Sequence, residues 1–108
     1  GDTVVVAEAW GIPATVFLDA GSTVVTTPAQ LNDVLKRSVQ ANRRRELVAT
    51  RPEIEGIEDI GPHLAAVRVR WPAFARDGVE KASERAFYVM EEGADGRARI
   101  RVAATVVE

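Results

Sequence analysis

The runs HLAAVRVRW (63–71), SERAFYVM (83–90) and RARIRVAATVV (97–107), separated by Asp77-Gly78 and Asp95-Gly96, decide the fold. Each run is rich in β-branched, aromatic and small apolar residues, and each is bounded by an Asp-Gly pair that supplies the positive φ of a tight turn. Three antiparallel strands follow. Ala65, Val67, Val69 and Trp71 share one face of the first, and Leu64, Ala66, Arg68 and Arg70 share the other. In the second, Ala86, Tyr88 and Met90 alternate with Phe87 and Val89. In the third, Ala98, Ile100, Val102, Ala104 and Val106 alternate with Arg99, Arg101, Ala103 and Thr105. Both faces carry apolar groups, so neither is expected to meet only water.

Working outward, TPAQLNDVLKRSV (27–39) announces a helix. Thr27 is an N-cap, Pro28 suits the first helical position, and Gln30 completes a capping box. Leu31, Val34, Leu35 and Val39 form one apolar stripe, and Arg43, Arg44 and Arg45 complement the helix dipole at the far end. The helix is placed at Pro28 to Arg45. Before it, ATVFL (14–18) and STVVT (22–26) flank Asp19-Ala20-Gly21 and read as a hairpin. After it, Leu47 to Ile60 reads as a less regular strand, with Pro52 and Gly56 arguing for an edge or a bulge. Gly1 to Trp10 fits a short helix with Val6, Ala9 and Trp10 on its inner side, although its three consecutive valines prefer strand.

The chain has 108 residues, one domain's worth, at 46% hydrophobic and 28% charged. A net charge of −2 excludes a general nucleic-acid binder, and Arg43-Arg44-Arg45 is too short a block to alter that. No apolar run approaches the ~20 residues that span a bilayer. With no cysteine there is no disulfide or thiolate site, which fits the cytoplasm.

The order of elements, carried by GDTVVVAEAW…PATVFLDAG, TPAQLNDVLKRSV, AAVRVRW…DG and AFYVM…DGRARI, resembles the SnoaL-like group of small bacterial proteins within the nuclear transport factor 2-like superfamily. The resemblance covers residues 1–108 as a single domain. It implies an α+β cone: a curved mixed or antiparallel sheet wrapped around one main helix, with an apolar pocket inside. Members range from ketosteroid isomerase, polyketide cyclases and dehydratases to non-catalytic partners, so fold alone does not give function. They usually begin with a longer helix before the Gly-Asp, whereas this chain starts at Gly1-Asp2; apolar surface would then need a partner or a second copy to cover it. Their last strand often carries a Trp after the Asp-Gly turn and a His further on. Ala98 and Ala104 or Thr105 stand at those places, which weakens an enzymatic reading.

Candidate chemistry is sparse. His63, the only histidine, follows Gly61-Pro62 at a strand start, where exposure is expected. One histidine without cysteine is too poor a ligand set for zinc, and Glu53, Glu55, Glu58 and Asp59 match no cation-loop spacing. Nothing points to a cofactor. Asp19 in an apolar cone would move a proton beside a carbonyl, as the resemblance to ketosteroid isomerase implies; its ordinary reading is turn punctuation. Tyr88 is equally a pocket hydrogen-bond donor and a core residue with its hydroxyl at the rim. Trp10, Phe17, Trp71 and Tyr88 are the expected pocket lining, against a plain core reading of the same aromatics. Arg68, Arg70, Arg99 and Arg101 form an outward ladder, with Glu84 placed to pair across strands.

The expectation is therefore a homodimer through the outer sheet face, with an apolar pocket for a small hydrophobic ligand and no catalysis. The alternatives are a small isomerase, cyclase or dehydratase using Asp19 and Tyr88 on an apolar carbonyl or enol, and a partner subunit whose open cone accepts another protein's helix.

Overall fold

The computed structural model describes residues 8–18 and 21–107. Among the described residues the long helix α1 (Pro28–Arg44) accompanies a seven-stranded sheet made of β1 (Trp10–Leu18), β2 (Gly21–Val25), β3 (Ala49–Thr50), β4 (Glu53–Gly61), β5 (Leu64–Phe74), β6 (Glu80–Glu92) and β7 (Ala98–Val107). The sheet order is β2-β1-β7-β6-β5-β3, with β4 paired to the same edge of β5 as β3. β1 runs parallel to β7, and every other pairing is antiparallel. The architecture is the expected α+β fold, a curved and unclosed mixed sheet with a helix on one face.

The three long strands form as the Asp-Gly pairs dictate. Gly78 and Gly96 adopt φ of 82° and 78°, where a side chain would be strained. Asp77 Oδ1 accepts from the Val79 N–H and Asp95 Oδ1 from the Arg97 N–H, both at 3.0 Å, which closes each turn locally. The strand after the helix is two strands. Pro52 has no N–H for the ladder and separates β3 from β4, while Glu55 is the extra residue of a bulge between Ile54 and Gly56.

Two expectations are corrected here. Most of the short helix expected over Gly1 to Trp10 lies outside the described residues; Glu8 is helical and Ala9 a turn, but Trp10 opens β1 instead. The Ile100 N–H donates to the Ala9 carbonyl at 2.8 Å and Trp10 pairs with Ile100, so pairing with β7 outweighs the local helical pattern. The simple alternation along β7 also breaks. Ile100 pairs with Met90 and Val102 with Val89, so Arg101 is an extra residue that moves Ile100 to the opposite face from Val102 and Ala104.

The helix forms as its sequence reads. Thr27 Oγ1 accepts from the Gln30 N–H at 3.2 Å, and Gln30 Oε1 accepts from the Thr27 N–H at 3.2 Å. Leu31 is buried with Val16 and Val25, and Trp10, Val34 and Leu35 pack around them. Val39, the last residue of the stripe, is 40% exposed. The helix lies on the β1–β2 hairpin, and β2 has only five residues, roughly 17 Å. The seventeen residues of α1 span roughly 25 Å, and the helix residues at this core, Leu31, Val34 and Leu35, all lie in its first half.

Candidate functional site

The face of the sheet that meets α1 is fixed by Ala14, Val16 and Val25, all buried. Register carries that inner face across the sheet, because directly paired residues share a side. Val16 pairs with Ala103, Ala103 with Tyr88, Tyr88 with Val67, and Val67 with Ile57. One row further on, Thr105, Ala86, Val69 and Ile54 lie side by side, and Trp71 follows on β5. The inner face is thus apolar from β1 to β4, and at its far edge Ile54 and Ile57 are 64% and 65% exposed.

Trp71 and Tyr88 form the polar feature of this surface. The Trp71 indole Nε1–H donates to the Tyr88 hydroxyl oxygen at 3.0 Å, and both residues are half-buried. Among the described residues no acceptor takes the tyrosine's own proton. Burial pushes the Tyr88 phenol above its ordinary range; the Trp71 hydrogen bond works against that shift and the charge of Glu84 adds to it. The group is a neutral donor at physiological pH, not a base.

The expected site residues are only partly brought together. Trp71 and Tyr88 meet. Trp10 packs instead on the Val16–Val25–Leu31 core at the opposite end of the sheet. Phe17 pairs with Ala104, which pairs with Phe87, so it lies on the outer face. Asp19 lies outside the described residues. His63 is exposed, with Nδ1 4.0 Å from Glu92. Among the described residues no three His, Asp or Glu side chains gather as a metal site.

The arginine ladder is present, but its carboxylates differ from the expectation. Glu84 pairs in register with Trp71 on the inner face. Arg70 is held by Glu53 and Glu80, Arg85 by Glu55, Arg99 by Asp95 and Arg101 by Glu91. Arg101 Nε also donates to the Pro13 carbonyl at 2.7 Å, and its stem lies so close to Gly11 that a Cβ there would fall 2.7 Å from Arg101 Cδ. Two concavities accompany these groups. One, of about 380 Å³, is bordered by Trp10, Gly11, Glu91, Arg99 and Arg101. A smaller outer-face depression of about 100 Å³ lies among Gly56, Glu58, Ala66, Arg68 and Phe87. Neither is lined by Trp71 or Tyr88.

A family model described as NTF2-like protein (DUF6841) matches residues 1–108, the whole chain. The chain belongs to this NTF2-like family. Its fold recurs in solved structures at low identity. A ketosteroid isomerase-like protein from Erwinia carotovora atroseptica superposes with a TM-score of 0.74 at 14% identity, covering 98% of this chain and 81% of that one. An NTF-2 like protein of unknown function from Shewanella oneidensis gives 0.72 at 13% identity, covering 96% and 82%. A domain of unknown function with a cystatin-like fold from Nostoc punctiforme gives 0.71 at 15% identity, covering 94% of this chain and 62% of that one. At these identities the likeness is one of fold. No curated protein matches the sequence. Among the described residues of this NTF2-like chain, no helix is long and apolar enough to cross a membrane.

The sequence signalled Trp71 and Tyr88 separately, each on the inward parity of its strand. Their contact needs the β5–β6 register, in which Trp71 pairs with Glu84 and Val67 with Tyr88. The Asp77-Gly78 turn was the available signal for that register.

Proposed function

We propose that this NTF2-like chain is a dimeric, non-catalytic binding domain. Its ligand is a small apolar molecule carrying one oxygen acceptor, bound on the inner face against Trp71 and Tyr88. The observation that carries this reading is the Trp71–Tyr88 hydrogen bond. It fixes the phenol and leaves its proton for a carbonyl or ether oxygen, while Val67, Val69, Ala86 and Met90 on the same face supply apolar contact. Because that phenol is held neutral and His63 is exposed at the far end of β5, the residues support recognition better than proton transfer. A chain without cysteine fits residence in the cytoplasm.

The test is a titration read by tryptophan fluorescence in a W10F background, which leaves Trp71 as the only tryptophan. The probes are pairs of apolar ketones and hydrocarbons matched in size. Ketones are expected to quench Trp71, and Y88F to weaken ketone binding by about tenfold while leaving the hydrocarbons unchanged, as loss of one hydrogen bond requires. An unchanged ketone-to-hydrocarbon ratio in Y88F would end the reading. Light scattering during size-exclusion tests the dimer.

A second reading, a partner subunit, is favoured by one observation. Ile54, Ile57 and Ile60 on the edge strand β4 are all more than half exposed, an apolar strip of the kind that marks a protein contact.

A further inference from the structure

Strand β1 leaves its partner between Trp10 and Thr15. Trp10 pairs with Ile100 and Thr15 with Val102, so residues 11–14 of β1 stand against Arg101 alone on β7. The concavity of about 380 Å³ opens at this gap, and Gly93 and Arg99 bring its border next to the Asp95-Gly96 turn.

Two arginines are pinned at that border. The Arg101 Nε–H donates to the Pro13 carbonyl of β1 at 2.7 Å, and its Nη1 donates to Glu91 of β6. Arg99 donates twice to Asp95, from Nη1 to Oδ1 at 3.1 Å and from Nη2 to Oδ2 at 2.6 Å. Each arginine also lies over a glycine. A Cβ on Gly11 would fall 2.7 Å from Arg101 Cδ, and a Cβ on Gly93 would fall 3.0 Å from Arg99 Nη1. Neither glycine has a positive φ, so backbone conformation does not call for them. What they supply is room for the two side chains.

A pinned guanidinium suits recognition, because little rotamer freedom remains to be lost on binding. It also has more N–H groups than these bonds occupy. Among the described residues, the Arg99 Nε–H and the Arg101 Nη2 donate to nothing. Across the same space stand the half-buried Trp10 and Ile12, which is 37% exposed. One side of the concavity therefore offers fixed donors and the other an apolar wall, the combination that orients a small ligand.

We propose that this concavity binds a small carboxylate with a flat apolar body, the carboxylate on Arg99 and Arg101 and the body against Trp10 and Ile12. The site is separate from the Trp71–Tyr88 surface and does not rest on the reading given for it. Arg99, Arg101, Glu91 and Asp95 together carry no net charge, so the local field does not draw in an anion. Selectivity comes from the oriented N–H groups, whose bonds to a carboxylate are roughly twice as strong as those to a neutral oxygen. A ligand of about ten heavy atoms in so open a site is expected to bind with a Kd of about 1 mM.

The test is proton–nitrogen correlation NMR of the whole chain, titrated with phenylacetate and with phenylacetamide, its neutral counterpart. The reporters are the Gly11 and Gly93 amides and the Arg99 Nε–H. Phenylacetate is expected to move all three along one saturating curve, and phenylacetamide to need about tenfold more. R99Q is expected to weaken phenylacetate by about tenfold at the two glycine amides. G11A keeps both arginines but sets a methyl where Arg101 lies, and is expected to weaken binding too. The spectrum of each variant reports whether it has folded; for one that has not, the wild-type comparison of acid and amide decides. Equal affinity for acid and amide overturns the proposal, as does a failure to saturate by ~20 mM. Shifts confined to the Trp71 indole and the Val67 and Val69 amides put the probe on the inner face, which overturns this site and leaves the proposed function standing.

Discussion

Replacing Tyr88 by Phe removes one oxygen and keeps the ring that packs on the inner face. The Trp71 indole N–H then loses the acceptor it holds at 3.0 Å in a half-buried position. Net loss of a neutral hydrogen bond is about 1 kcal/mol, and a donor left without a partner raises that towards 2 kcal/mol when water reaches it incompletely. For a domain of this size each kcal/mol moves Tm by roughly 4–8 °C, so Y88F should unfold roughly 5–15 °C lower. Urea unfolding followed by far-UV circular dichroism, at one fixed protein concentration, measures the change without relying on either aromatic as reporter. The decisive quantity is the coupling in a cycle of Y88F, W71F and the double variant, expected near 1 kcal/mol. Additive effects, with coupling below about 0.3 kcal/mol, would show that the two side chains do not act together, and the fixed phenol on which the ligand reading rests would go with it.

Leu31 is 3% exposed at the centre of the helix contact, so L31A should cost about 3 kcal/mol in the same unfolding assay. Thr27 caps α1, and T27A should cost about 1 kcal/mol, with T27S recovering most of it. The Asp95 carboxyl is lowered to about 2, first by the Arg99 hydrogen bond and then by the Arg97 N–H. Its folded-state value lies below its unfolded one, so the hairpin is supported above the ordinary carboxylate range and loses that support as pH falls towards 2; a carboxyl NMR titration should give this midpoint, and R99Q should raise it. Tyr88 is the single tyrosine and shifts the other way, so ultraviolet titration should find it ionising above its ordinary value near 10, with stability falling as pH rises through that range.

The helix and the strands β5, β6 and β7 were legible because their signals are local. A Thr-Pro-x-Gln cap, a stripe at helical spacing and two Asp-Gly turns act within a few residues, and the structure keeps the cap and both turns and packs the stripe as far as Leu35. Which residues face inward was legible wherever alternation ran unbroken, as along β5. It failed at Arg101, because a bulge is set by the neighbouring strand and leaves no mark of its own in the sequence. Trp10 was misplaced for a related reason: its partner Ile100 is ninety residues away, and pairing at that distance overrides a local helical pattern.

Residue order alone therefore determined an amphipathic helix, a meander of antiparallel strands, and the kinds of side chain on each strand parity. Only the assembled sheet decided that Trp71 touches Tyr88, that Phe17 turns away from both, and that Arg70, Arg85, Arg99 and Arg101 each meet a carboxylate while, among the described residues, none lies within ion-pair distance of Arg68. Local conformation follows from torsional preference and spacing along the chain. Contact between strands follows from register across it, and one inserted residue in a partner strand is enough to exchange the two faces.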